Sequence, residues 1–255
     1  GDVIPWVWNN LGQWADLSYR MANAGYPVVM CDVSNFYLDL AYSKDPKEPG
    51  LYWGGFVNAR STWQFAPYNS FITNLKSGMG HPIDPEQAYA GLERLRAENA
   101  GNIVGLQAQL WGETIKGNEM LEYYALPKMI GFAETAWAKE RPWEKQKNVD
   151  VRKKQMDEGW NIFANTLGKR ELPKLSKLFG GYNYRIPQPG SVIENGILNA
   201  NVEYPGLTIR YTTDGSEPTI QSTLYSSPTE VSGEVKLKAF DKVGRSSRTI
   251  SAVIR

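Results

Sequence analysis

Tyr26-Pro27-Val28-Val29-Met30-Cys31-Asp32 is a short apolar run, rich in β-branched residues, that follows a Gly and closes on a carboxylate. A run this short between turn residues reads as a buried strand, and residues 3–8 and 103–110 have the same character. Segments of helical period lie between and after them. Leu17, Arg20 and Met21 share a helix within residues 14–24 that Gly25 closes, and Asp84-Pro85-Glu86 caps and opens a second helix running to Asn99. A third helical stretch covers residues 119–138 with a kink expected at Pro127, and a fourth buries Met156, Trp160, Phe163 and Leu167 and ends near Gly168. Strands alternating with helices predict βα units and a parallel sheet. The roughly 50 residues between the second strand and Asp84 exceed the usual connection, and long connections are often functional.

From Lys169 to Gly190 the pattern dissolves into Pro, Gly and Tyr. Beyond it, residues 198–204, 207–213, 223–225, 234–241 and 248–254 are short β-rich runs with turn signals at Pro205-Gly206 and Asp214-Gly215. They predict a small all-β sandwich. The expected division is therefore an α/β part at 1–170, a linker at 171–184 and a β-domain at 185–255.

Composition narrows the function. The 255 residues are 42% hydrophobic and 22% charged, and 28 basic against 27 acidic side chains leave a net charge of +1, so no basic field exists to neutralise a nucleic acid backbone. One cysteine, Cys31, forms no intrachain disulfide, and one histidine, His81, supplies no His-rich metal site. Apolar runs fall far short of the ~18–20 residues of a membrane span. Gly1-Asp2-Val3-Ile4-Pro5 has neither an initiator Met nor a signal-peptide layout and reads as a processed or cut end.

Loops after the C-terminal ends of parallel strands converge on one face, which is where such folds keep their sites. The three ends here are Trp6-Val7-Trp8-Asn9, Asn35-Phe36-Tyr37-Leu38-Asp39-Leu40 and Leu110-Trp111-Gly112-Glu113. Each joins aromatic to polar residues. In extended backbone Tyr37 and Asp39 point to one side, as do Trp111 and Glu113. Rings beside carboxylates suit a sugar, whose C–H face packs on an aromatic while its hydroxyls seek charged acceptors. The competing reading is structural: tryptophans plugging a core and carboxylates capping helices.

The stretch Asn35–Leu40, followed by Glu48-Pro49-Gly50-Leu51-Tyr52-Trp53-Gly54-Gly55-Phe56-Val57, resembles the seventh strand and loop of family 20 glycoside hydrolases, the β-N-acetylhexosaminidases. Gly105-Leu106-Gln107-Ala108-Gln109-Leu110-Trp111-Gly112-Glu113, then Glu122-Tyr123, Leu126-Pro127-Lys128 and Ala133-Glu134-Thr135-Ala136-Trp137, resembles that family's eighth strand and helix. Ile209-Arg210-Tyr211-Thr212-Thr213-Asp214-Gly215-Ser216-Glu217-Pro218-Thr219 with Tyr225 resembles the immunoglobulin-like domain found after many such barrels. The resemblance implies about strands six to eight of a (β/α)8 TIM barrel, then an immunoglobulin- or fibronectin-like β-sandwich. It implies no metal or organic cofactor, and as partners N-acetylhexosamine-terminated glycans or chitin oligomers. Tyr37 corresponds to the tyrosine that hydrogen-bonds the substrate's acetamido oxygen, the nucleophile of a substrate-assisted reaction that dispenses with an enzyme carboxylate nucleophile. Asp39 and Glu113 correspond to the carboxylates that bind the sugar hydroxyls at C4 and C6, and Trp111 to a wall of the pocket. Trp8 corresponds to a second wall, with Trp6 its rival.

The family's acid is a Glu preceded by an Asp at the end of the fourth strand, and this chain begins near the sixth. Its one Asp-Glu dipeptide, Asp157-Glu158, falls on the late helix and reads as a solvated face. Three strands of eight leave edges and a core face open, so the barrel is expected to be completed by a missing N-terminal part or another chain, and this segment to be inactive alone. Cys31 reads as an inert core thiol. Tyr52, Trp53 and Trp63 either line an outer subsite or pack the long loop. The lack of an Asn-x-Ser/Thr sequon favours a bacterial source, and the family's habit implies export to the periplasm or cell surface. Two other classes compete: a non-catalytic carbohydrate-binding or scaffolding protein on a degenerate barrel, and an open doubly wound binding domain, which would require a Gly-rich phosphate turn the sequence lacks.

Overall fold

The computed structural model describes residues 3–254; Gly1 and Asp2, part of the start read as a processed or cut end, lie outside them, as does Arg255. The chain forms two compact units, one up to Asp157 and one from Glu158. Among the described residues no helix is long and apolar enough to cross a membrane.

The first unit is built on a parallel sheet in the order β1 (Trp6–Val7), β2 (Val28–Met30), β3 (Ile103–Leu106). The runs expected as strands are apolar over a longer span, but pairing holds only where two backbones run in register. Helix α1 (Leu17–Asn23) follows β1, and Gly25 at φ +94° takes the left-handed turn that ends it. The long connection after β2 is filled with short helices: α2 (Val33–Phe36), α3 (Ala59–Trp63) and α4 (Pro85–Ala88). One core joins the sheet to α1 and α2, with Phe36 set between Phe65 at 4.6 Å and Phe132 at 5.2 Å, in a cluster with Val7, Tyr19, Val28 and Met30.

Asp84 caps α4 as expected, but the helix stops at Ala88 rather than Asn99. Gly91 turns left-handed at φ +78°, and the backbone beyond is satisfied from outside: Asp16 accepts the Glu93 N–H, while Asn23 binds the Arg94 carbonyl and the Arg96 N–H. Tyr89, Leu92 and Leu95 thereby reach the core from irregular chain. The break at Pro127 separates α5 (Gly117–Ala125) from α6 (Lys128–Trp137).

Helix α7 (Val149–Thr166) carries Met156 and Trp160, both buried, and the chain does not end its helix at Gly168. It passes through a π-type turn, Leu167–Glu171, into α8 (Leu172–Leu175), so the segment expected to be irregular from Lys169 is helical for its first residues. Gly168 serves a close approach instead of a cap, since a Cβ there would lie 2.2 Å from the Pro205 carbonyl oxygen. The second unit then forms two four-stranded sheets. One runs β10 (Ile250–Ser251), β9 (Lys236–Phe240), β6 (Thr208–Thr212), β7 (Thr223–Tyr225); the other runs β11 (Val253–Ile254), β4 (Gly190–Glu194), β5 (Ile197–Asn201), β8 (Thr229–Glu230). Ile193 and Leu198 of one sheet share a core with Ile209 and Leu237 of the other. Strands β4 and β8 are additions to the runs read from sequence; Asn195 at φ +51° and Gly196 at φ +78° join β4 to β5 in a two-residue turn.

Back in the first unit, α3 and α6 pack with almost no gap. A Cβ on Gly131 would lie 2.3 Å from Thr62 Oγ1 and 2.5 Å from the Ala59 carbonyl oxygen. Gly131→Ala should therefore lower unfolding stability by about 1–3 kcal/mol, the range for overpacking a tight contact. Chemical denaturation checks this against Gly101→Ala, where the added methyl meets open space. Equal midpoints for the two variants would refute the tight approach.

Candidate active site

The three strand ends are laced together by main chain before any side chain acts. The Trp8 carbonyl, just past β1, accepts the Val33 N–H at 3.0 Å, tying the first loop to α2. Past β3 the chain keeps pairing: Gln107 N–H donates to Met30, Gln109 N–H to Phe36, and Leu38 N–H to Gln109, at 2.9, 2.9 and 2.8 Å. Tyr37 thus sits in a parallel bridge to Gln109, two residues before Trp111. The loop closes when Asp39 Oδ1 accepts the Trp111 N–H at 3.1 Å.

Around Tyr37 the structure gathers three indoles. Its ring centroid is 5.9 Å from Trp53, 6.1 Å from Trp111 and 6.5 Å from Trp8, and Trp8 meets Trp53 edge-on at 6.2 Å. The phenol is buried, whereas Trp8, Trp53 and Trp111 are 45%, 54% and 49% exposed. A buried phenol ringed by half-exposed aromatic faces sets one hydrogen-bonding group beside apolar surface open to solvent. Trp6, the rival of Trp8, is exposed and shares none of these ring contacts.

Trp53 reaches the cluster because Gly50 lets its loop cross the 39–41 backbone. At φ +113° with a virtual Cβ 2.8 Å from the Ala41 nitrogen, that position admits only glycine, and the Leu51 carbonyl then accepts the Ala41 N–H. Tyr52 stacks on Phe56, with centroids 5.8 Å apart. Trp63 belongs elsewhere: it is buried against Trp143 at 6.0 Å, and Arg141 donates to its carbonyl, so it packs the fold and lines no subsite.

Asp39 is buried, and Glu113 lies on the exposed turn after Trp111, near enough for the two charges to repel. Burial pushes the Asp39 carboxyl above its ordinary range, opposed by the Trp111 N–H and the Lys128 charge and reinforced by Glu113. Burial likewise raises the Tyr37 phenol, with the Trp111 indole acting against it. The phenol therefore stays protonated, a donor, at any neutral pH.

Lys128, quoted above in a motif but given no role there, is fully buried behind the turn, its ammonium donating to the Leu38 and Leu40 carbonyls at 2.7 and 2.6 Å. A lysine opening a helix is electrostatically misplaced, since cations favour the other end, and that is the local signal that could have marked it. Cys31 is buried and its thiol pushed up by burial, in keeping with an inert core residue. Asp157 and Glu158 are exposed on α7, with Asp157 paired to Arg60, and His81 is exposed in a loop.

The catalytic-domain model of glycosyl hydrolase family 20 matches residues 2–140, and the model of the chitobiase/beta-hexosaminidase C-terminal domain matches residues 171–249. N,N'-diacetylchitobiase of Vibrio harveyi is 32% identical over 246 residues, covering 92% of this chain and 26% of its own length. Beta-hexosaminidase of Vibrio vulnificus is 30% identical over 272 residues, covering 98% of this chain and 30% of its own length. A solved family 20 exo-β-N-acetylglucosaminidase from Vibrio harveyi with N-acetylglucosamine aligns at a TM-score of 0.43 and 21% identity, over 71% of this chain and 22% of that one. The chain thus spans under a third of the length of these two curated relatives.

Asp32, the residue before α2, is buried with Oδ1 lacking a hydrogen-bond partner, and burial raises its pKa from 3.8 to about 7. Between those values the unfolded chain releases the proton and the folded one keeps it, so this carboxyl lowers stability progressively as pH rises and costs most above 7. Asp32→Asn, which cannot ionise, should gain on the wild type between about pH 4 and about pH 8. Urea unfolding at both values checks this; parallel pH dependences would show that Asp32 ionises normally.

Proposed function

The chain belongs to glycosyl hydrolase family 20, and from that premise we propose that it is the carboxy-terminal part of an exo-acting, retaining β-N-acetylhexosaminidase. The parent enzyme removes terminal β-linked N-acetylglucosamine or N-acetylgalactosamine from glycans or chitin oligomers. The observation that carries the reading is the buried, protonated Tyr37 phenol inside a ring of Trp8, Trp53 and Trp111 with the Asp39 carboxylate alongside.

In the mechanism, the sugar packs among the indoles and Tyr37 donates to the carbonyl oxygen of its 2-acetamido group. That oxygen attacks the anomeric carbon as the glycosidic C–O bond breaks, giving an oxazolinium-like intermediate that water then opens. Aiming the attacking oxygen is worth much of the barrier, because a misplacement of about 1 Å costs on the order of 100-fold. The leaving oxygen needs a proton, and Asp157 and Glu158, out on α7, are no candidates; an Asp-Glu pair from outside this chain supplies it. Asp39 and Glu113 accept from the C4 and C6 hydroxyls, so a chain extended at those positions is excluded and cleavage is confined to ends.

In the same reading the β1–β2–β3 sheet is strands six to eight of a (β/α)8 barrel that the rest of the parent protein completes. The two-sheet unit is an immunoglobulin- or fibronectin-like sandwich, with the barrel part at 1–170, a linker at 171–184 and the sandwich at 185–255. The enzyme acts in the periplasm or at the surface of a bacterium; the relatives from two Vibrio species support the bacterial source.

The full-length parent should hydrolyse a chromogenic β-N-acetylglucosaminide, and this chain by itself should not. Tyr37→Phe in the parent should lower kcat on the order of 100-fold or more, as for loss of a preorganised oxyanion donor. Binding of N-acetylglucosamine without turnover by the parent would instead favour a carbohydrate-binding module. Because Asp39 titrates above the ordinary carboxylate range, affinity should fall on the acid side earlier than for a normal Asp, and Asp39→Asn should abolish that limb of the pH profile.

A further inference from the structure

Lys128 is placed where its charge is hardest to keep. It is buried with no exposed area, at the first position of α6, where the helix dipole opposes a cation, and withdrawing an ammonium from water costs several kcal/mol. What it receives there is specific. Its Nζ donates to the carbonyls on both sides of Asp39, at 2.7 Å to Leu38 and 2.6 Å to Leu40, and lies 3.7 Å from the centre of the Tyr42 ring. The seat is held from behind: the Tyr42 hydroxyl is bound among the Tyr123, Tyr124 and Leu126 carbonyls, and Thr62 Oγ1 donates to the Lys128 carbonyl.

Two carbonyls drawn to one cation fix the 38–39 peptide plane that adjoins Asp39 and the 40–41 plane one residue beyond it, and so brace the turn that directs its side chain. Its carboxylate in turn holds the Trp111 N–H. Tyr37 is held by main-chain bonds in which the ammonium takes no part: Leu40 N–H donates to its carbonyl at 3.2 Å, and the neighbouring Phe36 carbonyl and Leu38 N–H pair with Gln109.

We infer that Lys128 is the positioning residue of the sugar site: it touches no substrate, and acts through the Leu38 and Leu40 carbonyls to aim the Asp39 carboxylate at the sugar hydroxyls. This rests on the reading of Asp39 given under Proposed function. It predicts that Lys128 matters only while Asp39 is there to be aimed.

The test is a double-mutant cycle in the full-length protein, with kcat and KM measured on a chromogenic β-N-acetylglucosaminide for wild type, D39N, K128M and K128M/D39N. K128M should cost on the order of 10- to 100-fold in kcat/KM, chiefly through KM, in the wild-type background, and under about threefold in the D39N background. K128R, which keeps charge and donors, should recover part of the loss, and it replaces K128M in the cycle if the methionine variant does not fold. Equal losses in both backgrounds, or a loss in kcat alone, would overturn the positioning role while leaving the hydrolase reading intact. A wild-type protein that turns over no substrate would overturn the hydrolase reading itself and this inference with it.

Discussion

One buried ammonium holds the candidate site in shape. Lys128 reaches the turn at residues 38–40 only because α6 lies against α3 closely enough for Gly131 to have no room for a side chain. Thr135 reinforces that contact by donating to the Thr62 and Trp63 carbonyls. The cost of burying the charge is offset by two short bonds and an aromatic face, the compensation a buried cation requires. From there the order runs outward through the Asp39 carboxylate to the Trp111 backbone, while Tyr37, beside the indoles, is held by main-chain pairing with Leu40 and Gln109.

Burial works differently on the two polar groups of the site. For the Tyr37 phenol, desolvation raises the pKa and so secures the donor form that the proposed chemistry uses. For Asp39 the same desolvation disfavours the ionised form that hydroxyl recognition needs, and the Trp111 N–H and the Lys128 charge work against it. A carboxylate in such a place is useful only if its surroundings resist its neutralisation, which gives the misplaced lysine an electrostatic as well as a steric consequence.

Much of the fold was legible along the chain because hydrophobic period is a local property. The β1–α1 unit ending at Gly25, the break at Pro127 and the buried stripe of α7 all follow from residues a few positions apart. Where expectation failed, a distant group had displaced a local one. The helix expected to run to Asn99 stops at Ala88 because Asp16 and Asn23, far back in the chain, bind the backbone groups a helix would have used. Gly168 looked like a helix stop, but its missing side chain makes room for the Pro205 carbonyl. Strand β4 could have been read from Asn195-Gly196, a hairpin signal between apolar runs.

By itself the sequence determined the class and the main cast: parallel βα units followed by a β-rich unit, aromatic and acidic residues at three strand ends, and a family resemblance carried by Tyr37, Asp39, Trp111 and Glu113. Residue type and spacing are enough for that, since strand ends in parallel sheets converge whatever the details. Tertiary structure alone decided which of the rings cluster together. Trp8 and Trp53 join Tyr37 while Trp6 stays outside and Trp63 sinks into the core, a choice made by the close backbone crossing at Gly50 and the grip of Arg141 on the Trp63 carbonyl. It also decided the part played by Lys128. A lysine 89 residues from Asp39 in the chain becomes its support only once α6 is packed on α3, because a hydrogen bond depends on distance in space and a sequence records only distance along the chain.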